Sequence, residues 1–441
     1  MYKSTLALAV AVGVLAQQAG AAGFIEDSKA TLKLRNFYIN NDNRNHGTNT
    51  SSNYQEEWGQ GFQVDYASGF TQGTVGFGVD AIALLGVRLD SGKGRHGNPS
   101  SASYGGLVFP TDSDGRAVDE YSSLGLTAKA KISQTELRYG TLLPKLPVIS
   151  YNDGRLLPQT FEGGQITSNE FKDLTLIGGQ IEHVKGRNSS NNEELSIAGA
   201  NNARTGKFSN KFLYAGADYK VTKDLLLQYY YGNLEDFYKQ HFLGAVHNWA
   251  IGPGVLKSDF RYFHSTDDGA NSNDPAYFTS GWYGNGTKGK VDNDLYSALF
   301  LYTVQGHTFG GGYQVSSGDS DFPWLNQGDG SSNYTITDSQ IQKFGRAGER
   351  TWQARYSYDF AKVGLAGATA GVTYLKGDNI DSSIGDRTEW ERDITVAYVV
   401  PEGTLKGLGI MWKNATWRSD IANTKDQDEN RLILSYSIPL L

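Results

Sequence analysis

The side chains best suited to chemistry in this chain are cations placed at alternate positions of extended runs. Lys129 and Lys131 lie in LGLTAKAKIS (124–133), and Lys33 and Arg35 lie in LKLRN (32–36). Arg88, Arg138, Arg261, Arg355, Lys413 and Arg431 hold the same phase of similar runs. A two-residue spacing puts side chains on one face of a strand. A wall of one charge sign concentrates counter-ions. Carboxylates are the favoured anions, because Arg offers a planar two-donor fork. Asp65, Asp80, Glu136, Asp259, Asp359 and Asp393 are placed to pair with these cations, so wall pairing and solute contact both stay open.

Catalysis is poorly served. Cysteine is absent, which removes disulfides, thiolate metal sites and cysteine nucleophiles. His46, His96, His183, His241, His247, His264 and His307 are the 7 histidines, and no Gly-x-Ser-x-Gly nucleophile context accompanies them. Acidic pairs such as Asp319 and Asp321 lack metal-ligand spacing, so no metal and no cofactor are expected. The chain reads as a non-enzyme, with a barrel-type hydrolase or a structural, adhesive barrel as the competing classes. Its formal net charge of −7 argues against nucleic acid as a partner.

The elements that carry these cations are long amphipathic strands. Opposite Lys129 and Lys131, the residues Leu124, Leu126, Ala128, Ala130 and Ile132 form an apolar face. The same alternation marks Phe77 to Leu89, Trp352 to Phe360 and Leu432 to Leu440. About ten residues tilted at about 45° cross a bilayer. Trp58, Tyr66, Tyr302, Tyr358, Trp390, Tyr398 and Trp412 fall near strand ends, where interfacial girdles require aromatics. Strands are expected to start near 31, 58, 73, 122, 134, 172, 193, 211, 224, 241, 255, 294, 307, 351, 368, 389, 406 and 429. That makes about eighteen strands, an even number suited to a closed antiparallel barrel. Connections alternate between short turns (221–223, 305–306, 400–405) and long polar loops (40–57, 90–121, 267–292, 319–349, 378–389), as in outer-membrane barrels.

Composition agrees. The chain has 54 Gly, 26 Tyr and 20 Phe against 10 Pro and 2 Met, which suits a sheet with one greasy and one wet face. Residues 1–22 read as a secretory signal. Lys3 supplies the positive end, 6–16 the apolar stretch, and Ala19-Gly20-Ala21 the small residues at the cleavage site. Cleavage after Ala21 or after Ala22 fits equally. The remaining residues, 23–441, are expected to form a single barrel domain in the bacterial outer membrane, with lipids around it.

A barrel this wide needs something to narrow it. The segment 146–171, LPVISYNDGRLLPQTFEGGQITSNEF, breaks the alternation and mixes Tyr151, Arg155, Pro158 and Gln159 with Gly154, Gly163 and Gly164. It is expected to fold inward and bring Arg155 to a constriction.

Several of these stretches also resemble the OprD family of Gram-negative substrate-specific porins. The likeness covers nearly the whole mature chain: GFIEDS and LRNFYIN near its start, SGFTQGTVGFGVDA (68–81), GRLLPQTFEG (154–163), HTFGGGYQ (307–314), WQARYSYDF (352–360) and AYVV (397–400). It implies an all-β, eighteen-stranded transmembrane pore, often assembled as a homotrimer, with a loop-narrowed eyelet. It further implies a basic ladder that guides small anionic solutes such as amino acids, aromatic acids, sugar acids and dipeptides. Arg35, Lys129, Lys131, Arg138, Arg355, Lys413 and Arg431 match ladder-type positions. Thr373, Ala397 and Met411 stand where further basic residues are expected, so the ladder thins on the last strands.

Overall fold

The computed structural model describes residues 23–44, 54–92, 95–96, 106–198, 207–280, 287–325, 332–421 and 424–441. The leader expected over 1–22 lies outside the described residues.

Among them, one 18-stranded antiparallel sheet closes on itself. Its strands are β1 (Lys29–Asn43), β2 (Tyr54–Ala67), β3 (Gly76–Asp90), β4 (Glu120–Ile132), β5 (Thr135–Leu142) and β6 (Thr160–Phe171). They continue as β7 (Leu174–Lys185), β8 (Phe212–Lys220), β9 (Leu225–Leu234), β10 (Tyr238–Ile251), β11 (Gly254–Asp267) and β12 (Asp292–Val304). The last third is β13 (His307–Ser317), β14 (Arg350–Asp359), β15 (Ala368–Ile380), β16 (Arg387–Val399), β17 (Gly409–Ser419) and β18 (Gln427–Pro439). Closure comes from β1 pairing with β18, Thr31 opposite Pro439 and Asn43 opposite Gln427. Closing the ring removes the two edges that an open sheet would leave unpaired in hydrocarbon.

Turn chemistry sets the short side. Between β12 and β13, Gln305 (φ 48°) and Gly306 (φ 86°) form a two-residue hairpin with both central residues left-handed, the geometry that matches strand twist. The other end carries the long connections, and several of them fold into the lumen.

The apolar phase of the strands faces out. Leu124, Leu137, Leu243 and Phe260 are exposed, as suits a wall bathed in lipid. On β16, Trp390 and Tyr398 mark the two edges of the greasy band, about 20 Å apart for eight residues on a tilted strand.

Two strands differ from those expected, and the differences offset in the count. Residues 160–171, expected within the inward loop 146–171, are the wall strand β6, so the loop proper is 143–159. The strand expected near 193 is not part of the barrel. There, Glu193, Leu195 and Ile197 make isolated bridges to Val184, Ser209 and Leu325 inside the lumen.

The interior is filled unevenly. One apolar cluster joins the loop residues Leu146, Val148, Ile149, Phe322 and Leu325 to the inner wall at Phe161, Phe212, Tyr230, Phe242 and Phe263. A smaller one packs Leu156, Leu157, Val108 and Phe109 on Phe37, Ile39, Ile82 and Leu84. Neither draws a residue from β14–β17. Along β14–β18 the inward residues are polar instead: Thr351, Gln353, Glu389, Glu391, Glu429 and Arg431 are buried, several of them bonded to the segment 332–349.

Candidate functional site

The loop 143–159 folds inward across the inner faces of β1, β2 and β18, where it meets Arg35, Gly59, Gly61 and Arg431. Two leucines anchor the loop. Leu156 and Leu157 are each 2% exposed. They can come so close to β2 because Gly59 and Gly61 face them: a β-carbon at Gly59 would lie 2.8 Å from Leu156 Cδ2, and one at Gly61 3.0 Å from Leu156 Cδ1. Leu156→Ala is expected to weaken loop docking by about 2–5 kcal/mol, the usual loss for a buried leucine. The measurement is open-channel conductance beside the electrophoretic mobility of the folded barrel. Conductance should rise while mobility stays that of the folded form. Unchanged conductance would mean the loop is held without this anchor.

The anchor sets out the tip of the loop, 152–155, in front of three guanidiniums. Arg35 on β1 grips Asp153 with two prongs (2.6 and 3.1 Å) and donates to the Arg155 carbonyl (2.6 Å). Arg187, just past β7, donates to Asn152 Oδ1 (2.8 Å), which also takes the Gly154 N–H (2.8 Å). Arg431 on β18 donates to the Gly154 carbonyl (3.1 Å) and, with its other prong, to the Gln340 carbonyl (3.1 Å) of a second inward segment, 332–349. Arg431 thus ties the two loops together at one point, and Glu429 orients it from 2.7 Å.

The second loop is held by the wall as well. Glu391 on β16 accepts the N–H groups of Ile341 and Gln342 (2.8 Å each), and Asp393 accepts that of Gln340 (3.1 Å). Arg355 on β14 donates to the Ile336 carbonyl (2.6 Å), and Arg261 on β11 to that of Tyr334 (2.9 Å). Burial and then the nearby Glu389 carboxylate hold the Glu349 carboxyl well above the usual range. Arg346 bridges this acidic pair, its N–H on Glu349 (3.0 Å) and its guanidinium on Glu389 (3.1 Å).

Gly154 occupies the gap itself. A β-carbon there would lie 3.0 Å from Asn152 Oδ1, 3.4 Å from Arg187 Nη1 and 3.7 Å from Arg431 Nη1. Lys413 on β17 stands directly across from Arg431 in register. Among the described residues it makes no ion pair within 4.0 Å. The like charge of Arg431 opposes Lys413, and the carboxylates of Asp393, Glu429 and Glu391 offset part of that repulsion. Arg155, from the loop, donates to the Leu107 carbonyl.

The expected ladder residues therefore separate by position. Arg35, Arg155, Lys413 and Arg431 converge on the constriction, and Arg355 lies beside the second loop. Lys129 is 6% exposed, bound to Asp80 (2.7 Å) and the Ser68 carbonyl (2.7 Å). Arg138 binds Asp80 (3.1 Å) and Glu136. Lys131 faces the periplasmic end of β4, 5.7 Å over the Phe70 ring. Wall pairing also takes Lys33 with Asp65 (2.7 Å) and Arg261 with Asp259 (2.8 Å), whereas Asp359 caps a short turn through the Ala361 N–H. Arg187, Asn152 and Gln340 escape the sequence reading, because they sit in loops where no alternation flags them. Among the described residues no group of acids and histidines is placed to hold a metal ion.

Comparison with known proteins fits this architecture. Residues 22–440 match the model of a family described as outer membrane porin, OprD family. The chain is 36% identical over 439 residues to the porin-like protein GalP of Pseudomonas putida, covering 99% of this chain and 97% of the relative. The crystal structure of OccK8 (OprE) from Pseudomonas aeruginosa superimposes with a TM-score of 0.87 at 62% identity, over 95% of this chain and 100% of that one. That of OpdK with vanillate, from the same organism, gives 0.82 at 35% identity, over 95% and 100%.

Proposed function

We propose, on the premise that this chain belongs to the OprD family of outer membrane porins, that its pore passes small carboxylate-bearing solutes by facilitated diffusion. Amino acids and aromatic or sugar acids are the classes meant. The carboxylate is met at the constriction by Arg431, Arg187 and Lys413, with Arg155 and Arg35 completing the cationic rim. Lys131 adds to the field along the path, whereas Lys129 and Arg138, paired with Asp80 and Glu136, and Arg355, bonded to the Ile336 carbonyl, contribute less.

The observation that carries this reading is the gap at Gly154. It is bounded by two guanidiniums, and Lys413, opposite Arg431 in register, makes no ion pair within 4.0 Å among the described residues, though Asp393, Glu429 and Glu391 lie in its neighbourhood. Fixed cations in a narrow passage with low-dielectric walls raise the local concentration of anions, and a guanidinium fork fits a carboxylate. The wall acids temper the field, which keeps the hold weak enough for release. The OpdK structure with vanillate gives independent support, since vanillate is an aromatic carboxylate.

The test is ion selectivity in planar bilayers under a salt gradient. The wild-type channel should prefer anions. Lys413→Glu changes the local charge by two units and should cut the anion-to-cation permeability ratio about tenfold, or about 1.4 kcal/mol. A cation-selective wild type would sink the reading. A panel of carboxylates and matched neutral solutes in uptake assays then ranks the classes.

A further inference from the structure

The outer wall carries an unbalanced group of cations at its long-loop end, the extracellular end of such barrels. Arg350 on β14, Lys376 on β15 and Arg392 on β16 point outward, in the phase of Trp352, Tyr374 and Trp390. In register, Lys376 stands between Trp352 and Trp390, and Tyr374 stands opposite Arg392. Each cation is one strand and two residues from the next, about 8 Å between α-carbons. Arg350 and Lys376 are exposed, and Arg392 is half-buried.

None of the three makes an ion pair within 4.0 Å among the described residues. Asp378, opposite Arg350 in register, points outward as well but stays beyond that distance. Other outward basic groups at this end have a carboxylate. Lys239 on β10 binds Asp268 (2.7 Å), His264 on β11 binds Asp294 (2.9 Å), and Arg418 on β17 binds Asp428 (3.0 Å). Arg392 is the most demanding of the three. It lies one outward position below Trp390, within the greasy band, where a guanidinium without a counter-charge is costly. Its printed partners are neutral: Asn414 Oδ1 (3.2 Å) and Thr416 Oγ1 (3.0 Å). The aromatic rings complete the surface. Trp352 and Tyr374 lie 5.3 Å apart, and Tyr374 and Trp390 5.8 Å, between ring centres. Such a strip has one side against hydrocarbon and the other among headgroups.

We infer that this patch binds a lipid of the outer leaflet whose headgroup carries net negative phosphate. Phosphate oxygens take charge-assisted hydrogen bonds from guanidinium, and the ammonium adds a point charge. The row of three cations spans about 16 Å, longer than a single phosphate needs and suited to an extended headgroup. A free phosphate gains the cations alone. A lipid gains the aromatic strip too, and its chains lie on the apolar wall below, at Val372, Ile394 and Tyr356. A zwitterionic headgroup brings its own cation and gains less from the row. The patch faces away from the pore, so binding does not depend on which solute passes.

The probe is lipid A bearing two phosphates, added to the folded barrel in phosphatidylcholine nanodiscs, with bound lipid counted by native mass spectrometry. The wild type should hold it in preference to the dephosphorylated form of the same lipid. Arg350→Ala combined with Lys376→Ala should weaken binding about tenfold or more. Arg350→Lys with Lys376→Arg keeps both charges and should retain most of the affinity. Lys239→Ala removes a paired cation at the same end of another wall and should match the wild type. Electrophoretic mobility verifies that each variant is folded. The inference is overturned if the double alanine variant binds as the wild type does, or if Lys239→Ala weakens binding equally. It is overturned equally if the dephosphorylated lipid binds as tightly. Displacement of the lipid by inorganic phosphate would make the patch a simple anion site. Loss of an oligomer mass in the double variant, with lipid binding unchanged, would assign the patch to a second copy. Either result also overturns the inference.

Discussion

Arg431→Ala is expected to raise single-channel conductance, increase current noise and reduce anion preference together. Arg431 is 7% exposed and binds three things: Glu429, the carbonyl of Gly154 and the carbonyl of Gln340. Removing the guanidinium leaves Glu429 without its cation, and breaking such a buried pair costs about 3–5 kcal/mol. Each carbonyl that loses its donor adds about 1–3 kcal/mol unless water replaces it. Those losses fall on the two inward loops, because β18 keeps its backbone pairing to β17 and β1 throughout. The barrel should survive and the loops should separate. The charge effect adds to the steric one, since a cation is lost and a carboxylate is released at the same place. Arg431→Lys separates the two contributions. It keeps the charge, but a single ammonium lacks the planar fork that reaches both loops. Conductance and noise should rise with selectivity kept. If Arg431→Ala leaves conductance and reversal potential as they were, the clasp has no part in limiting the pore.

The constriction also marks where the amino-acid sequence stops being readable. Alternation reports burial on one side of an extended segment and does not say what lies on the other side. It located most of the wall strands, because Leu124 or Phe260 must face lipid. It failed at β6, where Glu162, Gly164 and Ser168 break the apolar phase around Ile166, and Phe171 faces outward only after a register shift. Register shifts at Glu162/Gly163 and Ser168/Phe171 blur that strand further. It misled near 193, where Leu195 and Ile197 alternate because they plug the interior cluster, 0% and 2% exposed.

At the site, phase alone finds Arg35, Lys413 and Arg431, since each lies on a regular strand. It cannot find Arg187, which reaches the gap only because the chain bends after β7. Nor can it tell a cation that faces the path from one that a carboxylate has taken. Lys129 and Lys131 occupy the same face two residues apart, yet Asp80 and the Ser68 carbonyl hold the first, and the second stays exposed. That difference is tertiary, set by what β3 and the turn after β2 bring alongside.

Gly154→Asp is expected to close the pore to anions with the largest effect of any single side chain considered. The backbone there is not left-handed, so a β-carbon adds no φ strain. Its position is 3.4 Å from Arg187 Nη1 and 3.7 Å from Arg431 Nη1, so the carboxylate of an aspartate falls among the donors proposed to receive a solute. A tethered carboxylate is present at an effective concentration that free solute does not match. It should therefore occupy the site permanently and repel the next anion. Anion flux is expected to drop about tenfold or more, at least 1.4 kcal/mol on the barrier. The loop should be held more firmly, since Asp carries the charge complementary to both guanidiniums. Gly154→Asn provides the comparison, having nearly the same volume and no charge. If asparagine blocks as strongly as aspartate, the gap is limited by size, and the cations there are loop fasteners alone. If aspartate blocks anions while asparagine leaves most of the flux, the guanidinium pair is the point at which the pore recognises a carboxylate.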